Sequence, residues 1–476
     1  MNVILVIMDS LRMDHMGCYG DCYPEPPKAK TPNLDRLARE SLRFRKAAPE
    51  SLPTLPMRRA VHTGQRVWPF WDWTWHKGDF KGSPGWGPMQ EKQDTVAELL
   101  SEAGYRTGFV TDTYHQFKPS KNFHRGFAEW HWIRGNESDP YLTGPHIPDD
   151  VVLKHMPKEV IKRRKNPANA RFIERHRQYL MNVAGRRSEE DYFPAQVFRT
   201  ASDWLTRNSD AEKFFLVVDS FDPHEPWTPP VNYRRMYSTD ENVADVIWLP
   251  YGGRAVGKLS TREMRRAQAN YAGEVTLVDR WFGHFYDTFL ASGHADDTLF
   301  IMTTDHGHYL GDQGLQGKMG HPLLREVLDV PILMRDPRGR RAGKTADNLV
   351  SHTDIPATIL AATKVKPKQK LDGKSLLPML RGGKGPQRKY TLTGWGPFIT
   401  IRTRKWLYNA SLWGQKPLLF DLGKDPRCLH NIARKNMKLV RKMHQIGQSE
   451  CDGKYPAMLR EQADAALPGC TPLGKW

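Results

Sequence analysis

The sequence predicts an α/β protein with a mostly parallel central sheet flanked by helices and a smaller α+β subdomain at the carboxyl end. Short apolar, β-branched segments alternate with longer amphipathic segments, which is typical of a parallel sheet covered on both faces. Several apolar segments end on polar residues, and the pattern changes after about residue 365. With 476 residues, of which 39% are hydrophobic, the chain can bury large cores, which excludes wholesale disorder.

The individual elements follow from apolar periodicity. Buried strands are predicted at residues 3–8, 106–111, 214–218, 298–303 and 330–334. Helices are predicted at residues 33–42, 96–103, 195–206 and 262–290. Because the carboxyl ends of parallel strands meet at one edge of a sheet, we expect the chemistry of the protein to gather there.

Two domains are expected, a larger one over residues 1–365 and an α+β subdomain over residues 366–476. The larger domain carries a basic helical insert at 151–190 and a loop rich in Trp, Gly and Pro at 66–90. The subdomain begins after a lysine-rich linker. Within it we expect strands near 390–394, 398–403 and 406–409, followed by a basic helix near 431–446.

The formal net charge of +18 is unevenly distributed. It amounts to 0 over residues 1–150, +7 over 151–190, −5 over 191–360 and +16 over 361–476. This distribution excludes a uniformly basic, histone-like protein. The two basic regions are compatible with a solvated surface or with binding of an anionic polymer or membrane surface, and charge alone does not predict specific nucleic-acid binding.

Cysteine usage and the amino terminus bear on the compartment. The five cysteines are too few and odd in number for a disulfide framework, so we expect free thiols. The chain starts directly with an apolar strand, without the features of a secretion signal, and has no run of about twenty apolar residues. These features predict a soluble, cytoplasmic protein with no membrane span, and they are compatible with a homo-oligomer.

Polar residues at two strand ends predict a metal site. Asp9 follows the first strand, and Asp305 and His306 follow the strand at 298–303. Carboxylate oxygens and imidazole nitrogens bind Ca²⁺, Mg²⁺, Mn²⁺ or Zn²⁺. A metal held there would polarise an anionic ester and activate a hydroxyl nucleophile.

A candidate hydroxyl nucleophile is Thr54. Pro53 and Pro56 restrict the backbone around Thr54, which suits a side chain that must be held rigidly. Arg58 lies four residues later, in what we expect to be the first turns of a helix, and its guanidinium can donate to the hydroxyl or to an anionic substrate.

Taken in order, these segments resemble the sulfatase branch of the alkaline phosphatase superfamily. Residues 2–12 and 31–38 resemble its first metal motif and the segment after it, and the segment from Thr54 to Arg58 occupies the place of its Cys-x-Pro-x-Arg signature. Residues 305–318 resemble the second metal motif with its substrate-binding lysine. Residues 353–360 and 418–426 are similar to later family segments, so the resemblance covers most of the chain.

The resemblance implies a fold like that of alkaline phosphatase and an active site for metal-assisted ester hydrolysis. It implies that one divalent metal, Mn²⁺, Ca²⁺, Mg²⁺ or Zn²⁺, is held by four residues: Asp9, Thr54, Asp305 and His306. It places Arg58 and Lys318 on the bound anion, and His224 as the general acid for the leaving group. His115 is a further candidate for substrate binding.

The departures from the family pattern favour phosphorus esters. Sulfatases convert the signature Cys or Ser into formylglycine, but the extra methyl of Thr54 would make any oxidation product a ketone, so no formylglycine is expected. Water must then clear the intermediate on Thr54, as in the superfamily phosphatases and phosphodiesterases that use Thr or Ser. Ser10 replaces the second carboxylate beside Asp9, and His306 replaces the usual Asn, as in phosphonate monoester hydrolases.

The leading hypothesis is therefore a metal-dependent hydrolase of phosphate diesters or phosphonate monoesters, acting on a small anionic ester through a covalent Thr54 intermediate. One alternative is a sulfuric ester hydrolase acting on a sulfated sugar or an aryl sulfate. Another is an inactive relative that binds an anionic polymer through its basic regions.

Overall fold

The structure, a computed structural model, describes residues 1–71, 73–77, 84–118, 120–252 and 259–466. Its strands are β1 Asn2–Met8, β2 Leu42–Ala48, β3 Arg106–Thr111, β4 Glu129–Trp132, β5 Phe214–Ser220, β6 Thr298–Thr303, β7 Tyr309–Leu310, β8 Gln316–Gly317, β9 Val330–Arg335, β10 Thr345–Ala346, β11 Val350–Ser351, β12 Thr391–Trp395, β13 Phe398–Arg402, β14 Trp406–Ser411 and β15 Leu418–Asp421. Its helices are α1 Pro32–Arg39, α2 Thr54–Thr63, α3 Val96–Glu102, α4 Asp149–Leu153, α5 Lys158–Lys162, α6 Pro167–Val183, α7 Phe193–Arg207, α8 Val231–Arg235, α9 Thr261–Ala291, α10 Arg325–Leu328, α11 Asp354–Thr363, α12 Leu377–Leu380, α13 Met437–Ser449 and α14 Ala457–Ala466.

A mixed, mostly parallel sheet forms the centre of the protein. Its strand order is β10-β2-β9-β6-β1-β5-β3-β4, with β11 also paired to β2, and β9 is antiparallel to both β6 and β2. The central strands β1, β5 and β6 are apolar along their length and buried, because helices cover both faces. The predicted fold class is confirmed.

The five predicted strands occur within two residues of their expected bounds, as β1, β3, β5, β6 and β9. The predicted helix at 33–42 was too long. Helix α1 ends at Arg39, and Leu42 begins β2, in which the side chains of Leu42 and Phe44 are buried while Arg43 and Arg45 are more exposed. This alternation has the two-residue period of a strand, and Leu42 therefore belongs to β2 and not to the predicted helix.

Helix boundaries follow from local capping. Thr95 caps α3, and Ser260 caps the long helix α9; each forms a capping box with a glutamate three residues later. Helix α2 ends at Gly64, which has a φ of 71° and therefore adopts the left-handed conformation that glycine tolerates. The predicted helices at 96–103, 195–206 and 262–290 correspond to α3, α7 and α9.

The carboxyl-terminal part forms a separate antiparallel sheet with the order β12-β13-β14-β15, against which α13 packs. The three strands expected there are confirmed, and β15 is a further one. The Trp-rich loop at 66–90, of which residues 72 and 78–83 lie outside the described part, packs partly on this sheet through Trp68 and Phe70. Gly394 makes this approach feasible, because a Cβ atom there would lie 2.0 Å from Trp68.

The basic insert is helical, as expected, and consists of two short helices, α4 and α5, and the long helix α6. Pro157 and Pro167 stand at the amino ends of α5 and α6, where the fixed φ of proline is compatible with a helix start but not with continuation of the preceding helix.

Among the described helices, none combines the length and apolarity that a membrane crossing requires. The cysteines at positions 18, 22, 428 and 451 are free thiols.

Replacing Gly108 by alanine tests the packing of α7 on the central sheet. The new Cβ would lie 2.4 Å from the indole of Trp204, which is fully buried and has little freedom to move. We expect Gly108→Ala to lower the free energy of unfolding by about 1–3 kcal/mol, measured by urea denaturation. The control Gly185→Ala, where no atom lies within 4 Å of the new Cβ, is expected to change it by less than about 0.5 kcal/mol. Equal stability of the two variants would contradict the proposed packing constraint.

Candidate active site

The candidate site lies where the carboxyl ends of β5, β1 and β6 meet at the centre of the sheet. Asp9 directly follows β1, Asp219 is the penultimate residue of β5, and Asp305 lies two residues beyond β6. All three side chains are fully buried. Helix α2 begins beside these strand ends and contributes Thr54 as its first residue and Arg58 one turn later.

The guanidinium of Arg58 connects the three carboxylates. Its Nε and Nη2 donate to the two oxygens of Asp219, each at 2.7 Å. Its Nη1 donates at 3.0 Å to Asp9 and at 3.0 Å to Asp305, and at 3.2 Å to the carbonyl oxygen of Thr54. Arg58 is itself fully buried, so this one side chain holds the strand ends and the first turn of α2 together.

The electrostatic balance of this cluster favours a divalent cation. Three buried carboxylates surround one guanidinium, which leaves two negative charges uncompensated among the directly bonded groups. Burial, reinforced by the nearby charge of Asp305, raises the pKa of Asp9 well above its usual value. Burial also acts to raise the pKa of Asp305, but His306 and Arg58 outweigh burial and bring this pKa below its usual range.

Donor atoms of Asp9, Asp305 and His306 lie within 4.8 Å of one another, which is compatible with a shared metal ion. Burial lowers the pKa of His306 to about 3, so its imidazole is neutral near pH 7. Its Nδ1 lies 2.9 Å from the Gly307 carbonyl oxygen and donates to it, which leaves the lone pair on Nε2. That nitrogen is buried and has no hydrogen-bond partner among the described residues, as expected of a metal ligand. These residues therefore fit the predicted cation.

Ser10 holds the two carboxylates in place. Its backbone amide donates to Asp305 at 3.0 Å, and its hydroxyl donates to Asp9 at 2.7 Å. The residue has a φ of 60°, which is unusual for serine and turns the chain sharply at the end of β1. The position at which the family resemblance leads one to expect a second carboxylate therefore contributes hydrogen bonds to the carboxylates of its neighbours.

Lys318 and His224 form a contact at the edge of the cluster. Lys318 Nζ lies 2.5 Å from His224 Nε2, and His224 Nδ1 lies 2.6 Å from the carbonyl oxygen of Glu225. Burial lowers the pKa of His224 to about 4, with Lys318 acting in the same direction. The imidazole is therefore neutral near pH 7, with its Nδ1 hydrogen on the Glu225 carbonyl and its Nε2 free to accept a hydrogen bond from Lys318.

Glu225, the residue after His224, contacts His308 and Tyr251. Its carboxylate is fully buried, with one oxygen 3.1 Å from Nε2 of His308, and the other accepts a hydrogen bond from the hydroxyl of Tyr251. Burial acts to raise the pKa of Glu225, but the imidazoles of His224 and His308 outweigh it, so this pKa lies well below its usual range.

His115 lies to one side of the cluster. Its Nε2 is 2.7 Å from a carboxylate oxygen of Glu137, and its ring packs edge-on against Trp86 and Phe221. Phe221 in turn stacks on His224 with ring centroids 4.1 Å apart. Phe221 therefore connects His115 to His224 of the Lys318–His224 pair.

Several residues of this site were not assigned from the sequence. Asp219 was visible as a strand-end carboxylate, but its bidentate contact with Arg58 depends on the side-by-side placement of β1 and β5. His308 lies within the second metal motif. Glu137 follows β4, which is short and only partly buried and was not predicted, so neither the strand nor the carboxylate after it gave a signal.

The chain matches two family models. The model described as Sulfatase matches residues 1–365, and the model described as N-sulphoglucosamine sulphohydrolase, C-terminal, matches residues 321–449. Among curated proteins, the chain is 24% identical to the multifunctional alkaline phosphatase superfamily protein PehA of Trinickia caryophylli, over 98% of this chain and 94% of that protein. It is 25% identical to an arylsulfatase of Clostridium perfringens, over 90% of each chain.

Solved structures show the same fold. The phosphonate monoester hydrolase SpPMH of Silicibacter pomeroyi superposes with a TM-score of 0.71 at 20% identity, covering 99% of this chain and 97% of that one. The phosphonate monoester hydrolase of Agrobacterium radiobacter superposes with a TM-score of 0.68 at 21% identity, covering 97% and 96%. The family match over residues 1–365 and this fold establish that the chain is a hydrolase of ester bonds and belongs to the sulfatase family of the alkaline phosphatase superfamily.

Proposed function

We propose that this protein hydrolyses phosphate diesters or phosphonate monoesters through a covalent intermediate on Thr54. The observation that carries the proposal is the position of Thr54 as the first residue of α2, almost fully buried, with its carbonyl oxygen on the same Arg58 nitrogen that contacts Asp9 and Asp305. A hydroxyl at a helix amino terminus also lies where backbone N–H groups favour bound anions.

The threonine favours phosphorus over sulfur. A formylglycine hydrate releases sulfate by collapsing to an aldehyde, and a threonine side chain has no such route. The Thr54 oxygen would instead form a bond to phosphorus as the bond to the leaving oxygen breaks, and water would then break the new bond. Attack of water on phosphorus held beside Arg58 and a metal is more feasible than release of a stable threonine sulfate.

The remaining roles follow from the contacts. Asp9, Asp305 and His306 would hold one divalent metal, joined by Thr54 through its hydroxyl. When bound, such a metal polarises the ester oxygen and lowers the pKa of the nucleophilic hydroxyl. Arg58 fixes the carboxylates and can donate to the anion. The resemblance gives His224 as the general acid, but a neutral His224 has no hydrogen on Nε2, so in this proposal the proton for the leaving oxygen comes from Lys318, directly or through His224. His115 would help to shape the leaving-group side.

Sulfuric ester hydrolysis is a second candidate function. It is supported by the arylsulfatase relative and by a structural neighbour solved with D-glucosamine-2-N,6-O-disulfate, at a TM-score of 0.65 and 18% identity. The identity of the metal, a cytoplasmic location, a homo-oligomeric state and a domain boundary near residue 365 stay predictions.

Removing the Thr54 hydroxyl tests the nucleophile. We expect Thr54→Ala to lower kcat/KM for nitrophenyl phosphonates and phosphate diesters at least about a thousandfold, because the covalent route is lost. Thr54→Ser, which keeps a hydroxyl, is the control and should retain most of the wild-type kcat/KM. Mass spectrometry of quenched wild-type reactions should find a transient phosphoryl or phosphonyl group on Thr54. Full activity of Thr54→Ala would reject the mechanism, and a preference for sulfate esters would favour the second candidate.

Lys318→Arg tests the source of the leaving-group proton. Arginine keeps the positive charge but hardly ever gives up a proton, so we expect a larger loss with phenol than with 4-nitrophenol as the leaving group. General acid catalysis typically contributes about a hundredfold to ten-thousandfold, and an activated leaving group needs little of it. The measurement is kcat/KM for the two esters in wild type, Lys318→Arg and His224→Ala. Equal losses for both leaving groups would show that Lys318 binds the anion without donating the leaving-group proton, and little loss with either ester would show that only its charge matters.

The proposed metal site is testable without an activity assay. We expect Mn²⁺ or Zn²⁺ to raise the thermal unfolding temperature of metal-stripped protein, since a ligand at roughly 100 times its Kd stabilises the folded state by about 2.7 kcal/mol. In Asp9→Asn and His306→Ala this shift should largely disappear, whereas the exposed control Asp203→Asn should retain it. An undiminished shift in both site variants would place the metal elsewhere.

A further inference from the structure

Arg175, in helix α6 of the basic insert, reaches the candidate active site. Its Nη2 donates to one carboxylate oxygen of Glu137 at 2.5 Å, and the other oxygen of Glu137 lies 2.7 Å from Nε2 of His115. The guanidinium also stacks over the indole of Trp248, 4.3 Å from the ring centroid. Arg175 is thus fixed from two sides, and the insert is joined to the wall of the site that contains His115.

In the proposed mechanism, this wall borders the leaving group. Phe221 joins His115 to His224 by ring contacts, and His224 accepts from Lys318. On the other side of this pair, Tyr251 lies over the strand that ends just before Lys318. Gly317 permits this contact, because a Cβ atom there would lie 2.3 Å from the Tyr251 ring and its φ is +78°.

This wall can offer a ligand hydrogen-bond donors rather than acceptors. Glu225 is fully buried, and the Glu137 side chain is only 4% exposed with both oxygens already paired. The Arg175 side chain is 39% exposed, and among the described residues its guanidinium donates only to Glu137. Its other N–H groups therefore have no acceptor among the described residues, and the contacts with Glu137 and Trp248 fix the orientation of the guanidinium.

We propose that Arg175 determines leaving-group specificity, by selecting esters whose leaving alcohol carries a carboxylate or a similar planar oxyanion. A guanidinium pairs with such a group through two parallel hydrogen bonds, and stacking on an aromatic ring leaves that edge available. The inference rests on the proposed function, since it concerns the leaving group of the same reaction. It assigns to the basic insert a local role in place of general attraction of anions.

The test compares two leaving groups that differ by one carboxylate. Phenyl phosphonate esters of phenol and of 4-hydroxybenzoate are assayed with wild type, Arg175→Ala and Arg175→Lys, and the readout is the ratio of kcat/KM for the carboxylated over the plain ester. We expect this ratio to fall about tenfold in Arg175→Ala, with an intermediate value in Arg175→Lys, which keeps the charge but loses the planar fork. Near-UV circular dichroism verifies that each variant is folded.

Arg164→Ala is the matched control, because it removes the same charge from an exposed position of the same insert. Its ratio should equal that of wild type; an equal fall in both variants would mean general charge attraction and would overturn the proposal. So would an unchanged ratio in Arg175→Ala. If wild type cleaves only the corresponding aryl sulfates, the proposed function fails, but the same ratio measured on the sulfates still decides the role of Arg175. Turnover of neither series would overturn both.

Discussion

The site depends on one buried interaction, the contact of Arg58 with three carboxylates that come from three neighbouring strands. Buried charges are stable only when they are paired with opposite charges, and here three carboxylates share one guanidinium. The fold supplies this arrangement because β5, β1 and β6 lie side by side and end at the same edge. The same Arg58 also contacts the first turn of α2, so the position of the proposed nucleophile Thr54 and that of the proposed cation site have one structural cause.

Much of this could be predicted from the sequence, because the central strands are apolar along their whole length and their polar ends are short and distinct. Asp9, Thr54, Arg58, Asp305 and His306 were all proposed on that basis and on the family resemblance, and the structure brings them together. The antiparallel direction of β9 and the existence of β4 were not predictable in the same way. The apolar pattern of a fully buried strand does not indicate whether the strand runs parallel or antiparallel to its neighbours. Strand β4 is too short and too exposed to show a clear period.

Side-chain pairs between distant segments were also beyond the sequence. Asp219 and Arg58 are 161 positions apart, and Glu137 and Arg175 are 38 apart, on a segment after β4 and on helix α6. The protonation of the Lys318–His224 pair depends on burial and on a carbonyl of the next residue, neither of which a motif records. The net charge of the insert, which suggested binding of an anionic polymer, includes at least one arginine with a specific neighbour in the site.

The segment before Thr54 is bound to the carboxyl-terminal sheet through the backbone. The Leu52 amide donates to the Gly394 carbonyl at 2.9 Å, and the Gly394 amide donates to the Glu50 carbonyl at 2.9 Å. The Thr393 hydroxyl donates to the Pro49 carbonyl. Residues more than 340 positions apart therefore hold the start of α2 in its final position. During synthesis on the ribosome, the strand ends and α2 emerge long before β12 does. A nascent chain thus carries the proposed nucleophile without its support, and this support forms only after the chain has been made as far as β12.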